Sequence, residues 1–216
     1  EFLEAQGQWE NTLIVFTSNH GDYLGDHWLG EKDLFHDESV RIPLIIHDPS
    51  PQADATRGTR DSRMVEGIDL VPTFIEWLGG TPSDHRLEGT SLLPLLHGTP
   101  DVAWRDCAIS ESDYSNRSAR SILGLKPVEA RATMVCTERW KGVFHECFRP
   151  ELYDLENDPQ ERVDLGADPE CESVCRELKD RWFEWVLQRK TRVTISEETI
   201  ENLDDPAKLG ILIGYW

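Results

Sequence analysis

Basic residues are scarce in this chain: Lys and Arg number 22 against 41 Asp and Glu, a formal net charge of −19 over 216 residues. A phosphate backbone or an anionic membrane surface would be repelled by the chain as a whole, which argues against nucleic acid and membrane as partners. Long apolar runs are missing too. No stretch approaches the roughly 18 apolar residues that a membrane span needs, and the chain opens on Glu1-Phe2-Leu3-Glu4 without Met, basic flank or apolar segment. No targeting segment is visible, and the missing Met is expected of a piece of a longer polypeptide. Cysteine is sparse: five thiols, an odd number, leave at least one unpaired if the rest pair within the chain. This predicts a reducing compartment and a cytoplasmic location. Cys171 and Cys175 share an expected helix but have no neighbouring Cys or His pair, so zinc is not indicated and all five thiols read as structural. What is present is 38% hydrophobic residues, enough for a real core in one large domain or one and a half small ones.

Hydrophobic patterning divides the chain. The run Thr12 to Thr17 and the run Ile42 to His47 are unbroken, β-branched or aromatic, and bounded by turn formers. Such runs predict strands buried on both faces, as in a mostly parallel sheet. Residues 51–62 read as an exposed polar loop. A helix then follows, N-capped by Asp69, with Leu70, Phe74, Ile75, Trp77 and Leu78 on its apolar face and Gly79-Gly80 ending it. Gly89 to Gly98 packs a short apolar segment back on the body. From about residue 105 the texture changes to short strands, at 107–110, 131–137, 140–144 and 151–154, predicting a small antiparallel sheet. A long helix, 169–190, carries Val174, Leu178, Trp182, Trp185 and Val186 in one stripe that suits packing across that sheet. The tail ends in Gly210-Ile211-Leu212-Ile213-Gly214-Tyr215-Trp216, apolar enough to require docking on this chain or a partner. The expected organisation is thus a core segment over 1–100, a sheet-and-helix unit over 101–192 and a C-terminal arm over 193–216.

The densest polar constellation, Thr17 to His27, begins where the first strand ends. The carboxyl ends of strands are where α/β folds gather ligands, because loops there vary without disturbing the core. His20, His27, His36 and His47 lie near one another in sequence with Asp22, Asp26, Asp33 and Asp37, a mixture of imidazole and carboxylate that suits a divalent cation. Residue types alone fit metal binding or a polar, glycine-rich turn equally. Asp26 and His27 read as residues that brace the loop, and His47 as a satisfied residue at the core edge.

The string TSNHGDYLGDHWLGEKDLFHDESVRIPLIIHDPS resembles the C-terminal metal-binding segment of the sulfatase and phosphonate monoester hydrolase family, within the alkaline-phosphatase-like superfamily. The family pattern is T-S-D-H-G-[DE]-x-L-G-D-H, then a lysine, then an I-P-L strand. ATMVCTERWKGVF and ELYDLENDPQERVDL are similar to the family's C-terminal sheet, and the apolar tail is similar to the arm through which phosphonate monoester hydrolases associate. The resemblance implies an α/β fold: the C-terminal part of an α/β sandwich, followed by a small antiparallel sheet packed with one long helix.

It also implies roles. Asn19 takes the place of an aspartate metal ligand, His20 that of a second ligand, and Lys32 that of the lysine contacting the substrate oxyanion. The implied activity is hydrolysis of sulfate monoesters or of phosphonate and phosphate esters, with one divalent ion (manganese, zinc, iron or calcium) and a formylglycine nucleophile. Two departures stand out. None of the five cysteines sits in the family's Cys/Ser-x-Pro-x-Arg modification motif, so the nucleophile is expected outside this chain, and Asn19 replaces a charged ligand with a neutral amide. The competing expectation is a non-catalytic binding or oligomerisation module with a degenerate metal loop. Homo-oligomers held by the arm are expected on either reading.

Overall fold

Two antiparallel sheets organise the residues that the computed structural model describes, 1–202. In chain order the elements are α1 (Phe2–Ala5), β1 (Ile14–Thr17), α2 (Asp37–Val40), β2 (Leu44–His47), α3 (Leu70–Trp77), α4 (Leu93–Leu96), β3 (Cys107–Asp113), α5 (Ser118–Ile122), β4 (Arg131–Thr137), β5 (Trp140–His145), β6 (Glu151–Asp154), α6 (Glu172–Gln188) and α7 (Glu197–Glu201). The apolar tail and most of the expected C-terminal arm lie outside the described residues.

The first sheet corrects the expectation of parallel strands. β1 and β2 run antiparallel, with Phe16 opposite Ile45 and Val15 opposite Ile46. Phe16 and Ile45 therefore share a face, and both are exposed, at 61% and 64%. An unbroken apolar run does not encode strand direction, and here the Phe16–Ile45 end of one face is left exposed while Ile14 and His47 beside it are part-buried.

The second sheet is a meander, β3-β4-β5-β6, as expected. α6 lies across one face, where Leu178 joins Val135, Phe144 and Leu152, with Val174 and Trp182 packed beside them. Gly142 is what lets the helix approach: a Cβ there would stand 2.9 Å from Leu178 Cδ1. Trp185 is half-buried and Val186 exposed, so the buried stripe is shorter than the spacing predicts. The other face buries Phe35 against Ala132, Met134 and Val143, with Val40 packed alongside. The small sheet is thereby sewn to the segment that follows the polar loop.

Asp69 holds the N-cap position of α3 as expected, but its side chain makes no capping bond to that helix. It sits in a 3-10 turn, Gly67–Asp69, fully buried, and its carboxylate accepts the backbone N–H groups of Glu66 and Thr90, each at 2.8 Å. Arg105 completes the arrangement with a bidentate pair, its Nη2 2.7 Å from Oδ1. The Gly89–Gly98 segment packs back as expected, with Leu92 buried and its N–H bonded to Thr73 Oγ1 at 2.8 Å. Residues 51–62 are less open than a plain loop: Pro51–Thr56 forms a 3-10 turn that buries Ala53. Arg57 beyond it donates to the carbonyls of Asp48, Pro49 and Ser50.

Candidate active site

The polar loop leaves β1 at Thr17 and returns at α2. Ser18 Oγ donates to the His20 carbonyl at 2.7 Å, which closes the turn that presents Asn19 and His20. Gly21 follows for a steric reason: a Cβ there would fall 1.9 Å from the Glu38 carbonyl oxygen. The Gly21 N–H donates to the Ser39 carbonyl at 2.7 Å, so the loop start is laid directly on α2.

His20 and Lys32, twelve residues apart, meet at the base of the loop. Lys32 Nζ lies 2.8 Å from His20 Nε2, and His20 Nδ1 lies 2.7 Å from the Gly21 carbonyl. A carbonyl can only accept, so Nδ1 carries the proton and Nε2 offers its lone pair, the form in which an imidazole ligates a metal. A cationic group already faces that lone pair. Asn19, beside it, is exposed and contributes at most an amide oxygen. Among the described residues no three His, Cys, Asp or Glu side chains converge to hold an ion. The donor set therefore fits one side of a divalent site, two donors, and the rest of a shell would have to come from elsewhere. Asn19, His20 and Lys32 all line one crevice between the two sheets, about 3230 Å³. That is several times the roughly 300–1,000 Å³ of a small-ligand pocket, so its walls alone do not define a substrate.

The remainder of the loop is held by aromatic rings. Tyr23 is buried, and its hydroxyl, 2.8 Å from His36 Nδ1, also accepts the His36 N–H at 3.3 Å. Burial pushes the Tyr23 phenol up to about 12, so it stays a donor. His27 stacks on His36 and lies 3.5 Å from Glu38, the bracing role expected of it. Leu24, His27, Trp28 and Glu31 all have φ between 49° and 62°, left-handed conformations that non-glycine residues hold only when surroundings over-determine them. Asp22 caps the turn by accepting the Leu24 N–H at 2.9 Å. His47 departs from expectation: its ring stacks on Trp9 at 4.3 Å, but its buried Nε2 has no hydrogen-bond partner among the described residues.

Sequence reasoning missed Asp48. Its buried carboxylate accepts from Ser50 N–H at 2.9 Å, Trp77 Nε1 at 3.1 Å and His97 Nε2 at 3.0 Å. Burial works to raise its pKa, and these bonds outweigh it and hold the group below the usual carboxylate range. The Asp48-Pro49 breaker was its visible signal, read there only as a strand stop.

Residues 25–188 match the family model for the C-terminal region of N-sulphoglucosamine sulphohydrolase. The chain belongs to this sulphohydrolase C-terminal family. Lys32 falls within the matched span, while Asn19 and His20 precede it. The chain is 34% identical over 195 residues to the multifunctional alkaline phosphatase superfamily protein PehA of Trinickia caryophylli, covering 88% of this chain and 37% of that one. It is 29% identical over 204 residues to an N-acetylglucosamine-6-O-sulfatase of Bacteroides thetaiotaomicron, covering 92% and 34%. The crystal structure of the phosphonate monoester hydrolase of Agrobacterium radiobacter superposes with a TM-score of 0.79 at 34% identity, over 86% of this chain and 37% of that one. The sulphohydrolase-family chain thus spans little more than a third of the length of these relatives. Its fold is that of the alkaline-phosphatase-like enzymes they represent.

Proposed function

We propose that this chain is the C-terminal portion of a metal-dependent hydrolase of sulfate monoesters or phosphonate and phosphate esters. The observation that carries the reading is the 2.8 Å approach of Lys32 Nζ to the lone-pair nitrogen of His20, at the end of a strand, in a chain of this family. Asn19 Oδ1 and His20 Nε2 would hold one side of a divalent ion. Manganese, zinc and iron suit the imidazole, and calcium suits the oxygen. When bound, such an ion supplies Lewis-acid polarisation of a sulfuryl or phosphoryl oxygen.

The chain's own residues have defined tasks. The Gly21 carbonyl keeps the proton on His20 Nδ1, and so keeps Nε2 available as a ligand. Lys32 turns its N–H donors from His20 towards the ester's non-bridging oxygens, where negative charge grows during displacement. The family's nucleophile, a formylglycine, belongs to a part of the enzyme outside this chain. Relatives named for both sulfate and phosphonate esters support the shared substrate chemistry, a tetrahedral oxyanion on a leaving alcohol. Association of subunits through the apolar tail, Leu209 to Trp216, completes the reading.

The test is the complete polypeptide, assayed for bound divalent ions and for hydrolysis of aryl sulfate and aryl phosphonate esters. A stoichiometric ion, turnover of at least one ester class, and a loss of about 10²-fold or more in kcat for Lys32→Ala are expected. Absence of both ion and turnover would overturn the reading in favour of a non-catalytic module, to which the neutral Asn19 would then belong.

A further inference from the structure

Lys141 is 0% exposed. It projects from β5 on the sheet face that buries Phe35, because it pairs with Cys136 in the same register that places Met134 opposite Val143. Its ammonium has two carboxylate partners: Asp37 Oδ1 at 2.5 Å and Glu161 Oε1 at 2.8 Å. Glu161 Oε2 accepts the Asp37 backbone N–H at 2.6 Å, so the three residues close a ring around the first residue of α2. Lysine is almost never fully buried unless paired, and a buried charge that loses its partner is strongly penalised. α2 therefore cannot slide or rotate on the sheet without unpairing a buried ion.

The other end of α2 grips the candidate site. Ser39, also buried, donates from Oγ to the Lys32 carbonyl at 2.7 Å, and its own carbonyl accepts the Gly21 N–H at 2.7 Å. Gly21 adjoins His20 and accepts its Nδ1–H. One residue of α2 thus holds both strands of the loop whose side chains meet at Lys32 and His20. Phe35 and Val40 supply apolar adhesion to the sheet, which has no directional preference. The ion ring supplies the direction.

We propose that Lys141 is a positioning residue: with Asp37 and Glu161 it orients α2, and through Ser39 it sets how Lys32 faces His20. Its consequence for turnover rests on the function proposed above, whereas the positioning itself does not. The experiment compares Lys141→Met with Val135→Ala in the complete polypeptide. Val135 is buried on the opposite face of the same sheet, under α6, and its truncation serves as a control for lost stability. Hydrogen exchange at the Gly21 amide and the separate values of kcat and KM are the readouts.

Lys141→Met is expected to accelerate Gly21 exchange and to lower kcat about tenfold or more. Val135→Ala, at a comparable loss in Tm, should leave both near wild type. Lys141→Met behaving like Val135→Ala would overturn the proposal and leave Lys141 a structural ion pair. If the wild-type protein hydrolyses no ester, the functional reading fails and Gly21 exchange alone decides the positioning. If Lys141→Met does not accumulate, Glu161→Gln takes its place. It keeps an acceptor for the Asp37 N–H but removes one charge of the ring, and unchanged exchange and kcat in it would count against the proposal.

Discussion

His27 stacks on His36 with ring centroids 4.0 Å apart and planes 20° from parallel. Two imidazoles at that distance cannot both charge without repulsion, which the carboxylates of Glu151 and Glu38 partly offset. Burial, and then the His27 charge, hold the His36 pKa below its ordinary value. The stack closes the strained loop over the segment that carries Lys32, so its protonation state bears on how firmly the loop is held.

Stability should therefore fall as the solution is acidified. A histidine whose folded pKa is depressed favours the neutral form in the native state, so the unfolded chain binds the proton first. The contribution is fully present above the unfolded value of about 6.5 and is lost as pH falls below it towards the lower folded value. Thermal unfolding of the complete polypeptide from pH 7.5 down to 5.5, pH values chosen to straddle that range, should show a declining Tm. His36→Gln, which keeps an acceptor for the Tyr23 hydroxyl and cannot titrate, should flatten the decline. An equal decline in the variant would place the sensitivity elsewhere.

The buried pair between Asp69 and Arg105 makes a second prediction, about stability alone. Asp69 serves two backbone N–H groups and a guanidinium at once, from a fully buried position. Asp69→Ala leaves both N–H groups without their acceptor and Arg105 with only its 3.3 Å pairing to Glu66, a loss of about 3 kcal/mol by analogy with other broken buried pairs. Asp69→Asn should cost less, since its one oxygen retains part of the network. Denaturant midpoints for the two variants and for Arg105→Met check the order. A loss for Asp69→Ala no larger than a surface substitution gives would show that the pair is dispensable.

What was legible in the sequence was whatever lies close along the chain. The short strands of the meander and the first part of the α6 stripe are local patterns, and their elements formed close to where periodicity and turn residues place them. The approach of Lys32 to His20 was foreshadowed by resemblance, because both belong to one contiguous motif. Contacts between distant segments were not legible. Asp37 and Lys141 are separated by 104 residues, and Asp37 and Glu161 by 124, so nothing near Lys141 marks it as buried. Asp69 read as a cap because an acidic residue before an apolar period normally is one. Arg105, 36 residues on, drew it inward instead. Strand direction failed for a different reason: the run Ile14 to Thr17 looks the same whichever way its neighbour points.

The last prediction concerns Asn19, which stands where the metal-loop pattern this sequence resembles has an aspartate. An amide oxygen can coordinate a hard cation but brings no charge, and affinity at oxygen-rich sites rises with the number of charged ligands. His20 beside it is already fixed in the tautomer that offers Nε2, so the geometry of the neighbouring donor need not change when Asn19 does. Asn19→Asp in the complete polypeptide should tighten divalent-ion binding on the order of tenfold or more. Calorimetric titration of manganese or calcium into the metal-stripped protein measures it directly. Residue 19 and Lys32 line the same crevice, and pairing of the new carboxylate with that ammonium instead of the ion would leave affinity unchanged while lowering activity. Unchanged affinity with unchanged activity would remove Asn19 from the ligand set altogether.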